Sequence, residues 1–157
     1  MTDEMKKLKA QQAYFTLCSS LDEDNWKYIK KDADYAVIYR ETGNDLPMDC
    51  WFGIDANRQV VRFLSTLPVD MKATGKIADA AVACCIVNSK IAYGGFDLNI
   101  ASGKVYFRMT YAVKDGLVGK DFFRNMRKFA AIVIDKYNDK FLSLSQGRLK
   151  ATDFLDM

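Results

Sequence analysis

"YGGFDLNIASGKVYFRMTYAV", residues 93–113, decides the fold. Phe96, Leu98 and Ile100 alternate with Asp97 and Asn99. After Ser102–Gly103, Val105, Phe107, Met109, Tyr111 and Val113 alternate with Tyr106, Arg108, Thr110 and Ala112. A repeat of two is the side-chain period of a strand with one face against a core. The Ser-Gly joint predicts a tight hairpin, so the two strands run antiparallel.

The pattern recurs upstream. In "MDCWFGIDANRQVVRFLS", residues 48–65, Met48, Cys50, Phe52 and Ile54 point one way, and Asp49, Trp51, Gly53 and Asp55 the other. The chain turns at "DAN", returns through Val61 and Phe63, and stops by Pro68. Residues 25–45 carry two further alternating runs, Trp26–Tyr28 and Tyr35–Val37–Tyr39, joined near Asp32–Asp34 and followed by turn chemistry at Thr42–Asp45. Between and around the hairpins the period changes to that of helices. The first is expected over 4–21, with Thr2 as N-cap and Leu8, Phe15 and Cys18 on its apolar stripe, widened by Ala13, Leu17 and Leu21. The second is expected over 72–91. The third runs over 120–146, with Phe122, Met126, Phe129, Val133, Tyr137, Phe141 and Leu144 inward and Gly147 as its stop. Residues 148–157 have no clear assignment. The whole reads as one α+β domain over 1–157, a two-layer structure with three helices on a mostly antiparallel, five- or six-stranded sheet.

Composition narrows the chemistry. The 157 residues are 50% hydrophobic and 27% charged, and 23 basic against 20 acidic side chains leave a net charge of +3. That balance is too mild to imply nucleic acid as a partner. No run approaches the roughly 18 apolar residues of a membrane span, and the first residues lack the apolar stretch of a secretory signal. The spacings of Cys18, Cys50, Cys84 and Cys85 fit no zinc ligand set, so reduced thiols, no metal, no cofactor and a cytoplasmic location are expected. Histidine is absent. That removes Ser–His and Cys–His nucleophilic machinery and imidazole proton transfer. No glycine-rich phosphate loop occurs, so no catalytic residue is assigned.

A few residues stand out. Asp135 and Asp139, four apart on a helix, are either the start of a divalent-metal site or an ion-paired surface beside Lys136 and Lys140. "WKYIKK" (26–31) and Arg124, Arg127 and Lys128 have the composition of a nucleic-acid patch or of a solvated face. Trp51, with Asp49 on the same face, points away from its strand's apolar side; either a helix packs over it or it meets a partner. Cys84 and Cys85, adjacent on a helix, diverge by about 100° and cannot chelate one ion together. Ile77, Ala80, Ala81, Cys84 and Ile91 share the core arc, which leaves Cys85 at its edge. Val82 and Ile86 fall opposite. That second apolar face is covered either within the chain or by another subunit, with Val82, Ile86 and Cys85 as candidate interface residues.

Three stretches together resemble a known family: "DLPM" (45–48), "FGIDANRQVVRFLSTLPV" (52–69) and "NSKIAYGGFDLNIASGKVYFRM" (88–109), ahead of a long amphipathic last helix. From about Phe15 to Leu144 the chain is similar to the bacterial YbjN-like family, assigned to sensory-transduction regulation and sharing the fold of type III secretion chaperones. The resemblance implies helices packed on an antiparallel sheet, a homodimer, and protein binding without ATP. The expected function is therefore a non-enzymatic, chaperone-like or regulatory module that holds an extended protein segment on an apolar groove or open sheet edge, with neither nucleic acid nor membrane as partner. A small-molecule-sensing domain is the alternative, and an enzyme using carboxylates or thiols is a third.

Overall fold

Both hairpins form. In the computed structural model, which describes residues 1–113 and 118–157, the elements run α1 (Asp3–Glu23), β1 (Ile29–Lys31), a 3-10 turn (Asp32–Asp34), β2 (Ala36–Thr42), β3 (Pro47–Asp55) and β4 (Val60–Thr66). There follow α2 (Ile77–Asn88), β5 (Gly95–Asn99), β6 (Lys104–Ala112), α3 (Lys120–Ser145) and a last 3-10 helix (Ala151–Asp156). Six strands make one sheet in the order β1-β2-β3-β4-β6-β5, and every neighbouring pair is antiparallel. The α+β class, the antiparallel sheet and the three helices stand as read from the sequence.

One face of the sheet meets the helices. Val37, Phe52, Phe63 and Phe107 lie on this inner face, with Leu17 of α1 and Phe123, Ile134 and Phe141 of α3 buried in the same core. The rings interlock edge to face, as in Phe52–Phe63 (5.5 Å, 82°) and Phe52–Phe123 (5.6 Å, 68°). Such pairs contribute about 0.5–1.5 kcal/mol each beyond the area they bury.

Several boundaries and faces differ from the sequence reading. Ile100 is 69% exposed, because β5 ends at Asn99, whose side chain accepts the Ser102 N–H at 3.1 Å and starts the turn. Gly103 completes it at φ 73°, where a Cβ would lie 2.4 Å from the Lys72 nitrogen. On α1, Leu8 and Phe15 are 55% and 73% exposed, and the buried stripe is Ala10, Ala13, Tyr14, Leu17, Cys18 and Leu21. Tyr14 displaces Phe15 from the interior because Asp32 accepts its hydroxyl at 2.7 Å. The N-cap is as expected, with the Met5 N–H donating to Thr2 Oγ1 at 3.2 Å.

Trp26 and Tyr28 are not in a strand. Asn25 takes φ 56°, the Trp26 N–H reaches back to the Leu21 carbonyl (2.9 Å), and β1 begins only at Ile29. The second helix starts at Ile77 rather than near residue 72. Asp70 holds a separate turn by accepting the N–H groups of Lys72 (3.1 Å) and Ala73 (2.9 Å). The unassigned tail becomes a 3-10 helix that buries Phe154 against Phe141 (ring centroids 5.2 Å). The Lys90 ammonium donates to the carbonyls of Phe154, Leu155 and Met157 at 2.7, 2.6 and 2.9 Å.

Candidate partner-binding surface

The outer face of the sheet is built by register. Ile29 stands opposite Ile38, Ile38 opposite Trp51, and Trp51 opposite Leu64, so four apolar side chains from four strands form one row across the sheet. The row continues to Arg108 and Gly95. Ile29 and Ile38 are exposed, Trp51 and Leu64 half-buried, and none of the four packs against the helical core. Among the described residues, no helix covers Trp51. Its indole lies along its own strand over Gly53, where a Cβ would come within 2.8 Å of the ring. Glycine at 53 is thus what allows the ring to lie flat beside the backbone.

Charge frames this row. Opposed across β2 and β3, Arg40 grips Asp49 through two contacts of 2.7 and 3.0 Å. The hydrogen bond from Arg40 holds the Asp49 carboxyl below the usual range. On the other side, Arg108 donates to Asp97 at 2.6 Å. Both pairs are largely exposed and add little to stability. Strand parity puts Lys31, Arg40, Arg62, Lys104 and Arg108 on this face against Asp49, Asp55 and Asp97. The face is therefore apolar in the middle and basic in balance. Asp49 and Trp51 sit together on it, as their alternation indicated. Ile29, Ile38 and Leu64 join them only because the strands pair as they do.

The sheet edges are less available than the face. One amide, that of Asn88 at the end of α2, donates to the Phe96 carbonyl (3.0 Å) and accepts the Phe96 N–H (2.8 Å). It takes the place a neighbouring strand would have at that residue of β5. At the opposite edge β1 has three residues, two of them lysines, a short charged strand that resists further pairing.

The second candidate surface lies elsewhere, on α2 beside β5. Ala80, Ala83, Cys84 and Val87 form its buried face, while Ala81, assigned to the core arc from the sequence, is exposed. Val82 is 48% exposed and Cys85 is exposed; Ile86 is half-buried against the core and so is not wholly on the outer side. Burial pushes the Cys84 and Cys50 thiols up to about 12, which leaves both inert as nucleophiles.

The other readings resolve locally. Asp135 is a loop anchor: it accepts the Asn44 N–H (2.7 Å) and the Asn44 amide (2.6 Å), while Asp139 pairs with Lys140 (2.6 Å). Among the described residues, no group of three or more Cys, Asp or Glu is placed to hold a metal ion. Both arginines of the basic face of α3 are ion-paired. Arg124 binds Asp24 and Glu23, and buried Arg127 binds Asp24 (3.2 Å) and Glu41 (3.5 Å) with its guanidinium 4.3 Å over Trp26. The sequence reading placed these groups together as a patch, but their carboxylate partners lie on distant segments. Among the described residues, no helix is long and apolar enough to cross a membrane.

No family model matches the sequence, and no curated protein matches it. Solved structures do match in three dimensions. YbjN from E. coli superposes with a TM-score of 0.58 over 81% of this chain and 92% of its own, at 14% identity. A chain of the HopA1–SchA chaperone–effector complex gives 0.54 over 82% and 95%, at 9% identity. A chain of the ExsC–ExsE complex gives 0.54 over 83% and 93%, at 8% identity. The chain thus has the fold shared by YbjN and type III secretion chaperones.

Proposed function

We propose that this protein is a non-enzymatic, cytoplasmic binding module, acting as a homodimer, that holds a segment of another protein against the outer face of its sheet. The uncovered row Ile29–Ile38–Trp51–Leu64 carries this reading. Contiguous apolar surface on a folded domain marks an interaction site, and a half-buried Trp offers a large rigid contact at small entropic cost. The basic balance of the surrounding side chains selects the partner: a segment with apolar anchors and acidic flanks. Backbone addition at the sheet edge, one of the two modes suggested by the sequence, is disfavoured by Asn88 at one edge and by the short lysine-bearing strand at the other. The fold's occurrence in a chaperone–effector complex supports a protein partner.

The test has two steps. Capture from lysate with the wild-type chain is compared with Trp51→Ala and Leu64→Ala, both on the outer face and outside the core. Any protein lost by both variants is then tiled as peptides and titrated by calorimetry. Binding that maps to an acid-flanked apolar segment and weakens about tenfold or more in each variant is the expected result. Identical capture by all three proteins, or a basic mapped segment, would overturn it.

A further inference from the structure

A separate cleft of about 470 Å³ opens between the sheet and α3, away from the outer face. Met109 and Tyr111 of β6 form one wall, and Phe122, Met126 and Phe129 of α3 the other. Tyr93, from the loop before β5, closes the side, its ring 6.2 Å from Tyr111 and 5.7 Å from Phe129. The position of that ring is constrained by the backbone next to it. Gly94 takes φ 74°, and a Cβ there would lie 2.6 Å from the Arg108 carbonyl and 2.7 Å from Met109 Cγ. Only glycine lets the loop descend onto β6 and bring Tyr93 over the opening.

The lining fixes the ligand class. The deepest parts of the two walls are the core methionines Met109 and Met126, 2% and 4% exposed, while Tyr93 is 57% exposed at the rim. Among the described residues, no charged side chain lines the cleft; the polar groups they contribute are the two phenols and the amide of Asn125. A charged molecule would lose water there with no countercharge from these lining residues in return, which is costly. The volume exceeds that of any single side chain and falls within the roughly 300–1,000 Å³ of small-molecule sites. Burial also raises the Tyr111 phenol, with Tyr93 adding to the shift, so the Tyr111 hydroxyl stays a protonated donor at neutral pH.

We propose that the cleft between β6 and α3 binds a neutral, largely apolar small molecule, seated against Tyr93, Tyr111, Phe122 and Phe129. This does not depend on the partner surface. The two sites lie on opposite sides of the sheet.

The probe is Nile red, neutral and fluorescent in apolar surroundings, titrated into the full chain. Saturable one-to-one binding is expected, about tenfold or more weaker in Phe129→Ala and lost in Asn125→Trp, which fills the cleft from an exposed helix position. Tyr93→Ala, at the exposed rim, serves if either variant fails to fold by circular dichroism, and should weaken binding likewise. Trp51→Ala should leave binding unchanged, so loss of partner capture and loss of probe binding are read apart. The anionic probe anilinonaphthalene sulfonate should bind at least about tenfold more weakly than Nile red. The proposal is overturned by non-saturable binding, by loss of binding in Trp51→Ala but not in the cleft variants, or by equal affinity for the anionic probe. Probe binding that falls as protein concentration rises would place a second copy of the chain in the cleft and also overturn it.

Discussion

Cys84 and Cys85 are one residue apart in sequence and on different sides of α2. Cys84 is 6% exposed in the layer between helix and sheet; Cys85 faces out. Serine at 84 would bury a hydroxyl with no assured partner, and should cost about 1–3 kcal/mol. Serine at 85 should change stability by no more than about 0.5 kcal/mol. Paired thermal melts check both. An unchanged melting temperature for Cys84→Ser would contradict the helix orientation. A thiol reagent on the native protein should modify Cys85 first, since the other three thiols are buried. Residue-scale reasoning from sequence worked here because helix geometry alone separates adjacent side chains. It failed at Tyr14 and Phe15, where the choice of which ring goes inside depends on Asp32, eighteen positions away, accepting the tyrosine hydroxyl.

At the scale of elements, alternation carried the strands, since a period of two states both the conformation and the buried face. Trp51 was legible as outward-pointing for that reason. The row it belongs to was not, because register between strands has no signature in any one of them. Arg127 is another such case. Its carboxylate partners are 86 and 103 residues away, so the sequence shows only a basic helix face. The ion-pair network that results joins the end of α1 to the start of α3 and has a pH dependence. A hydrogen bond from Lys120 lowers the Glu23 carboxyl, and one from Arg124 lowers Asp24. Carboxylates lowered on folding contribute stability above their unfolded values of about 4, and lose it as pH falls through the folded values. Glu41 has the opposite sign: burial raises it against the attraction of Arg127, so protonating it relieves a cost. Melting temperature should therefore fall as pH drops below about 4. Asp24→Asn should be less stable at neutral pH and show a shallower acid slope, because the titrating group is gone. An identical slope in wild type and variant would remove Asp24 from this role. Asn88 gives a separate test at the same scale. Asn88→Ala removes both bonds to Phe96 and should cost about 1–3 kcal/mol, with faster amide exchange at Phe96.

For the molecule as a whole, the outer face of α2 bears on assembly. Ala78, Ala81, Val82 and Cys85 are exposed along one side of this helix, small enough to let another backbone come close. The C-terminal segment packs on α2, where Lys90 fixes its carbonyls, yet these four side chains stay open. A covering element from the same chain was one explanation for the second apolar side of α2; among the described residues it reaches Ile86 but not Val82. We expect a two-fold homodimer in which α2 meets its own copy, each presenting the same patch. Ile86 is a poor site for the test, because it packs against the core and a charge there would unfold the monomer as well. Val82→Asp with Cys85→Asp is better, since both positions are open to water in the single chain and would carry charge into the contact only on association. Light scattering should give a dimeric wild type and a monomeric double variant, with circular dichroism unchanged between them. A monomeric wild type would refute the homodimer, and a double variant that remains dimeric would place the contact elsewhere. The next surface to test would then be the outer stripe of α1, where Met5, Leu8 and Phe15 are each more than half exposed.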